Sequence, residues 1–249
     1  MAILVIQHSK ISDPGHLGAA LRTHGQKVRT VRVDLGQPLP ADLDDVHGLV
    51  SLGGPQSAND SHDWVTHEQS LIREAHGAGI PVLGLCLGAQ MLAKALGGEV
   101  ARMPKPELGW VTVKAASIGV EDVLHGGIGW SQTVFESHGE HVSKMPEGAT
   151  LVMKGDACAV QAFRVGATSY GFQYHPEWTR ETIGTEIDSW SDAELAAAGT
   201  SKAELRQKTA EHYPHAERNS KRLFEAVNLL LMPASRQQRG LVAPGWIHH

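Results

Sequence analysis

The sequence predicts an α/β protein with a doubly wound, mostly parallel central sheet, helices on both faces and an antiparallel extension. Three observations lead there: short apolar runs, stretches of helical spacing alternating with them as far as residue 98, and a later series of short alternating segments joined by turn residues. With 249 residues, 41% of them apolar and 20% charged, the chain can bury a sizeable core, and one domain over residues 1–232 is expected.

Residues 2–7 (AILVIQ) read as a buried strand because the run is short and β-branched. Residues 15–25 place Leu17, Ala20 and Leu21 on one helical face and stop at Gly25, a C-terminal cap. Residues 28–33 (VRTVRV) alternate like a strand, and 47–52 (HGLVSL) form another, closed by Gly53, Gly54 and Pro55. Residues 64–78 carry Trp64, Leu71, Ile72 and Ala75 at helical spacing. They lead into residues 80–85, an uninterrupted apolar run typical of strands covered on both faces. Residues 88–97 then form a helix ended by Gly97 and Gly98.

Beyond residue 98 the segments 108–115, 131–136, 149–154, 157–163 and 168–174 read as antiparallel strands that extend the sheet. Residues 178–214 are polar and helix-prone, an insertion, and 215–231 read as a closing helix with Leu223, Phe224, Val227 and Leu230 or Leu231 inward. Residues 233–249 lack periodicity and read as a tail, mobile or docking.

The net charge is −5 and the 22 Lys and Arg are scattered, which argues against nucleic-acid or membrane-surface partners. No run approaches the roughly 20 apolar residues of a membrane span, and the start MAILVIQHSK lacks a basic n-region, so a cytoplasmic protein is expected. The two cysteines, Cys86 and Cys158, are expected as free thiols. Cys158 falls in a predicted hairpin strand as a buried or edge thiol. No metal and no cofactor is expected: the pairs His138/His141 and His212/His215 lack a coherent ligand set and read as solvated surface.

The chemistry concentrates at three strand ends. In GLCLG, Cys86 stands where a strand turns directly into a helix, flanked by Gly84 and Gly88, which predicts a strained corner that holds the thiol out at the end of the sheet. The helix N-terminus and a nearby imidazole would favour the thiolate, which at a pKa of about 8.5 is otherwise a few per cent of the thiol. In GFQYHPEW, His175 ends a strand with Glu177 two residues on, so one ring nitrogen can meet the carboxylate while the other faces the sulfur. In GGPQS, the Gly54 amide is free to point into a cleft and, with that of Leu87, to form an oxyanion hole. Ligands of doubly wound sheets bind outside the carboxyl ends of the strands, where all three motifs fall.

Along residues 45–180 stand GGP, GLCLGAQ, SHGEHV and QYHPE in order. This combination resembles the class I (triad) glutamine amidotransferase family, whose nucleophile lies in a GxCxGxQ motif, and is similar in layout to the amidotransferase domain of GMP synthase. The resemblance implies a flavodoxin-like fold, with Cys86 as nucleophile, His175 as general base, Glu177 as its orienting group, and Gly54 and Leu87 as oxyanion donors. It further implies that Gly53, Gln90 and the backbone around Glu136, Ser137 and His138 hold the glutamine α-amino and α-carboxylate groups. His138 taken alone reads as a turn residue. The implied reaction is hydrolysis of the γ-carboxamide of glutamine through a γ-glutamyl thioester, giving glutamate and ammonia. Family synthetases join this module to an ATP-dependent domain; no P-loop is present here, so a separate synthetase is the implied partner.

Three readings fit these motifs: a glutaminase feeding a separate synthetase, a stand-alone hydrolase of γ-glutamyl amides or peptides, and a non-catalytic binding protein on the same fold. The intact Cys86, His175 and Glu177 argue against the third.

Overall fold

A computed structural model describes residues 1–234 apart from 118 and 120; most of the sequence-predicted tail, from 235 on, lies outside the described residues. The strands are β1 (Ala2–Gln7), β2 (Val28–Arg32), β3 (Val46–Ser51), β4 (Val82–Leu85), β5 (Glu99–Ala115), β6 (Ser131–Lys144), β7 (Ala149–Lys154), β8 (Ala162–Val165) and β9 (Ser169–Phe172). The helices are α1 (Gly15–Thr23), α2 (Asp63–Gly77), α3 (Leu87–Ala95), α4 (Arg180–Ser189), α5 (Asp192–Ala198) and α6 (Lys202–Ala226). The strands form one sheet in the order β2-β1-β3-β4-β9-β8-β7-β5-β6. Pairings from β2 through β9 are parallel, and those from β9 to β6 antiparallel.

The parallel half follows from its sequence. β1, β3 and β4 are buried along their whole length, as apolar runs covered on both faces must be. Successive residues of β1 alternate between two cores: Leu4 and Ile6 pack with Ile72, Met91 and Leu92 of α2 and α3, while Ile3 and Val5 pack with Leu17, Leu21 and Phe224 of α1 and α6. Each such side chain, fully buried, contributes roughly 1.5–3 kcal/mol. A third cluster joins Trp178, Ile183, Ile187, Trp190 and Leu205 to Phe135 of β6, and this seats the 178–214 helices against the antiparallel half.

Three expectations are corrected. β5 begins at Glu99 rather than 108, its early part hidden by Pro104 and Pro106, which sit in the register shift between Arg102 and Glu107. β6 does not stop at 136 but continues through SHGEHVSK, because residues 140–144 pair with the early part of β5. The predicted break at 214/215 is absent: α6 runs through Pro214, with Thr209, Tyr213, Ser220 and Leu223 buried on either side. A proline interior to a helix loses one backbone bond and crowds the preceding turn, and packing on both flanks offsets that here.

Candidate active site

β4 ends at Leu85 and α3 begins at Leu87, so Cys86 must turn the chain alone. Its φ is 51° and its ψ −107°, and among the described residues it is the only non-glycine with positive φ. Such a corner costs on the order of 1–3 kcal/mol and persists because its surroundings fix it. The Cys86 amide donates to the Phe172 carbonyl at 2.7 Å, and its carbonyl accepts from the amides of Ala89 and Gln90. The flanking glycines are steric requirements. A Cβ on Gly84 would lie 2.3 Å from the Gly88 carbonyl oxygen, and one on Gly88 would lie 2.0 Å from that of Ser51. The predicted corner is therefore present.

His175 follows β9, and its amide donates to the Phe135 carbonyl at 3.0 Å. Its Nδ1 is 2.8 Å from Glu177 Oε1, and the side chains are 2% and 0% exposed. One ring face stacks on Trp178, with centroids 3.7 Å apart and planes at 15°. Burial lowers the pKa of His175, but the Glu177 charge and a hydrogen bond with Cys86 outweigh it and raise it well above 6.5. Glu177 is anchored through its backbone: its carbonyl accepts the His16 amide at 2.8 Å, and a Cβ on Gly15 would approach that carbonyl oxygen to 2.1 Å.

Cys86 lies where two clefts meet, one of about 550 Å³ and one of about 310 Å³, which share Gly54, Pro55 and Ser137. Leu87, Gln90, His138 and Gly139 line the larger; His175, Trp178 and Glu186 line the smaller. Gly53 lies one step back, where a Cβ would fall 2.8 Å from His175 Cε1 and 3.5 Å from Cys86 Cβ. The Gln90 amide donates to the Glu140 carbonyl at 2.8 Å and to Gln173 Oε1 at 3.2 Å. Ser137 turns its carbonyl oxygen toward Cys86 Sγ at 3.8 Å and donates its hydroxyl to Glu186 Oε1 at 2.6 Å.

His138 is neither a turn residue nor solvated surface. It sits in β6 opposite Glu107 of β5, its side chain 2% exposed. Nδ1 is 2.9 Å from the Glu140 carbonyl oxygen, and Nε2 is 3.0 Å from Glu107 Oε2 and 3.2 Å from Glu136 Oε2. Burial lowers its pKa, but the bonds to Glu107 and Glu136 outweigh that and raise it to about 10. Glu136 itself is fully buried behind His138 and lines neither cleft; burial raises its pKa. His141 and His212 are half-buried, the latter against Trp110, while His215 is exposed.

Cys158 lies in the β7–β8 loop rather than a strand, fully buried, and donates to the Val160 carbonyl at 3.4 Å. With Glu107 and His138 it places three potential ligand atoms within 4.8 Å of one another, a grouping that sequence spacing did not anticipate. Sequence reasoning also passed over Gln173, whose amide donates to Cys86 Sγ at 3.7 Å. Its signal was a lone buried polar side chain in an otherwise apolar strand end.

A sharp cysteine corner, a histidine–carboxylate pair and a glycine turn at one rim of a parallel sheet define a cysteine-centred site of the amidotransferase type. Residues 16–190 match the family model for glutamine amidotransferase class-I, and the chain belongs to that family. It is 30% identical over 203 residues to the glutamine amidotransferase-like protein YfeJ of Salmonella typhimurium, covering 80% of this chain and 84% of that one. It is 36% identical over 146 residues to a subunit of the glutamine-hydrolysing GMP synthase of Archaeoglobus fulgidus, covering 58% and 74%. The crystal structure of a glutamine amidotransferase from Methylobacillus flagellatus superposes with a TM-score of 0.81 at 31% identity, covering 100% of this chain and 98% of that one. Of the longer GMP synthases that also match, the chain spans about a quarter. No helix among the described residues is long and apolar enough to cross a membrane.

Proposed function

We propose that this chain hydrolyses the γ-carboxamide of glutamine through a γ-glutamyl thioester on Cys86. The Cys86 sulfur, its proton already passed to the second ring nitrogen of His175, attacks the γ-carbonyl carbon as a thiolate, and Glu177 holds the ring at Nδ1. The amides of Gly54 and Leu87 receive the oxyanion. The C–N bond then breaks as His175 returns the proton to the departing ammonia. Water attacks the thioester with His175 again as base, the sulfur regains its proton, and glutamate leaves. Gln90 and the main chain from Ser137 to Gly139 hold the α-amino and α-carboxylate groups in the larger cleft. The continuous sheet supports reading residues 1–232 as one domain, and the kinship with a separately encoded GMP synthase subunit supports a separate synthetase as the consumer of ammonia.

The observation that carries this reading is the 2.8 Å His175–Glu177 contact beside Cys86 at the junction of the clefts. Cys86→Ala should abolish glutamine hydrolysis with the fold intact; normal turnover in that variant would refute the reading. A second reading, hydrolysis of γ-glutamyl amides, is favoured by the 310 Å³ cleft on the His175 side. Water takes up about 30 Å³ of its liquid, so this cleft has far more room than departing ammonia needs. Ammonia release from glutamine measured against amine release from γ-glutamyl amides, with no partner present, separates the two.

A further inference from the structure

His8 follows β1, and its side chain is wholly buried beneath the Gly53–Gly54 turn, where a Cβ on Gly54 would come within 2.5 Å of His8 Cβ. Its Nδ1 is 3.0 Å from the Leu52 carbonyl oxygen, and the Gln56 side-chain amide donates to the His8 carbonyl at 3.1 Å. Its Nε2 is 2.8 Å from Glu68 Oε2, on α2, and the other oxygen of that carboxylate accepts the Ser51 hydroxyl at 2.6 Å. Histidine and glutamate side chains are both 0% exposed. A carbonyl oxygen brings no proton, so Nδ1 carries one and donates it.

Peptide planarity gives this a consequence. In a trans peptide the N–H points opposite to the C=O of the preceding residue. The Leu52 carbonyl is paired in this way with the Gly53 amide. With that carbonyl turned to His8, the Gly53 amide hydrogen turns away from it, and a Cβ on Gly53 would stand 2.8 Å from His175 Cε1 and 3.5 Å from Cys86 Cβ. The Leu52 carbonyl also accepts the Gly88 amide at 3.1 Å, which ties this turn to the helix carrying Leu87.

We propose that His8, locked in place by Glu68, is the positioning residue of the oxyanion hole: it grips the Leu52 carbonyl, packs under Gly54, and so fixes the turn that presents the Gly54 N–H to the developing negative charge. The proposal rests on the thioester reading above. Burial lowers the pKa of His8, but the Glu68 charge and the hydrogen bonds to Glu68 and Leu52 outweigh it and raise it.

Two isosteric variants test it. In His8→Gln the amide nitrogen follows Nε2, so Glu68 keeps its partner and the Leu52 carbonyl loses its own. In His8→Asn the amide nitrogen follows Nδ1, so the Leu52 carbonyl stays held and Glu68 is stranded. We expect His8→Gln to lower kcat for glutamine roughly 10²-fold with KM changed less than about threefold, the signature of a lost transition-state contact. Alkylation of Cys86 by iodoacetamide builds no oxyanion and should stay within about twofold. His8→Asn should keep kcat within about tenfold. A residue that only satisfied buried Glu68 would give the opposite ranking. Full kcat in His8→Gln, a parallel loss of alkylation, or His8→Asn at or below His8→Gln overturns the proposal. If neither variant folds, nitrogen NMR of the wild-type protein at pH 7 decides: Nδ1 of His8 is expected protonated, and a bare Nδ1 overturns it. Turnover that survives Cys86→Ala sinks the thioester reading itself, whereas an inactive Cys86→Ala beside a fully active His8→Gln sinks this inference alone.

Discussion

On one side of Cys86, His175 meets Glu177 at 2.8 Å; on the other, His138 meets Glu107 at 3.0 Å and Glu136 at 3.2 Å. Both imidazoles are 2% exposed, and in both the neighbouring carboxylates together with Cys86 overcome the effect of burial and raise the pKa. They differ in what remains free. His175 spends Nδ1 on Glu177 and keeps its second nitrogen for the sulfur, whereas His138 spends Nδ1 on the Glu140 carbonyl and Nε2 on two carboxylates. On the mechanism proposed above, a carboxylate partner alone does not make a histidine a base. A ring nitrogen left facing the sulfur does.

The comparison is tested most severely at the two histidines. His175→Ala should lower kcat by about 10³–10⁴, the loss that follows removal of a proton-transfer group, and Glu177→Gln by roughly 10²–10⁴ because the ring tautomer is no longer held. His138→Gln should leave kcat within about tenfold and act chiefly on KM, since its residue lines the cleft without meeting the sulfur through a free nitrogen. Steady-state kinetics on glutamine checks all three. Equal losses of kcat at His138 and His175 would erase the distinction.

A smaller effect is expected at the carboxylate behind His138. Glu107→Gln weakens a charge-assisted bond worth about 1.5–3 kcal/mol and should loosen the Ser137–Gly139 wall, raising KM up to about tenfold with kcat little changed. The same bond predicts a pH dependence of stability. His138 has a folded pKa near 10 against 6.5 for the free side chain, so its contribution is complete below pH 6.5 and is lost as pH climbs toward 10. The melting temperature of the wild-type protein should fall more steeply between pH 6.5 and 10 than that of Glu107→Gln. Parallel curves would mean that His138 is not held as an imidazolium.

The same contrast marks where sequence reasoning reached and where it stopped. Cys86, His175 and Glu177 were legible because each owes its place to a local pattern: glycines two residues either side of the cysteine, and a carboxylate two residues beyond a strand-end histidine. β1 and β4 were legible as apolar runs for the same reason, whereas β9, read as part of the antiparallel extension, pairs parallel with β4. His138 was misread because its burial comes from pairing with Glu107 across β5 and β6, through a register shift that two prolines disguise. Gln173, His8 and Glu68 escaped notice because tertiary approach alone defines them. Glu68 did leave a trace: it shares the buried stripe of α2 with Val65, Ile72 and Ala75, at helical spacing, where an unpaired carboxylate would not survive.

The smallest predicted effect concerns the second thiol. Cys158 is fully buried, and burial together with the charges of Glu136 and Glu107 pushes its pKa up to about 12. The thiolate is the reactive form, so iodoacetamide at pH 8 should modify the native protein at one cysteine only, Cys86, with Cys158 appearing after denaturation. Native Cys86→Ala should take up no label, and Cys158→Ser should keep kcat within about twofold because its sulfur points to the Val160 carbonyl rather than to either cleft. Mass spectrometry of the labelled peptides decides this. Modification of native Cys158 would show that the carboxylate cluster around His138 opens to solvent, and the rigidity that sets His138 apart from His175 would be lost with it.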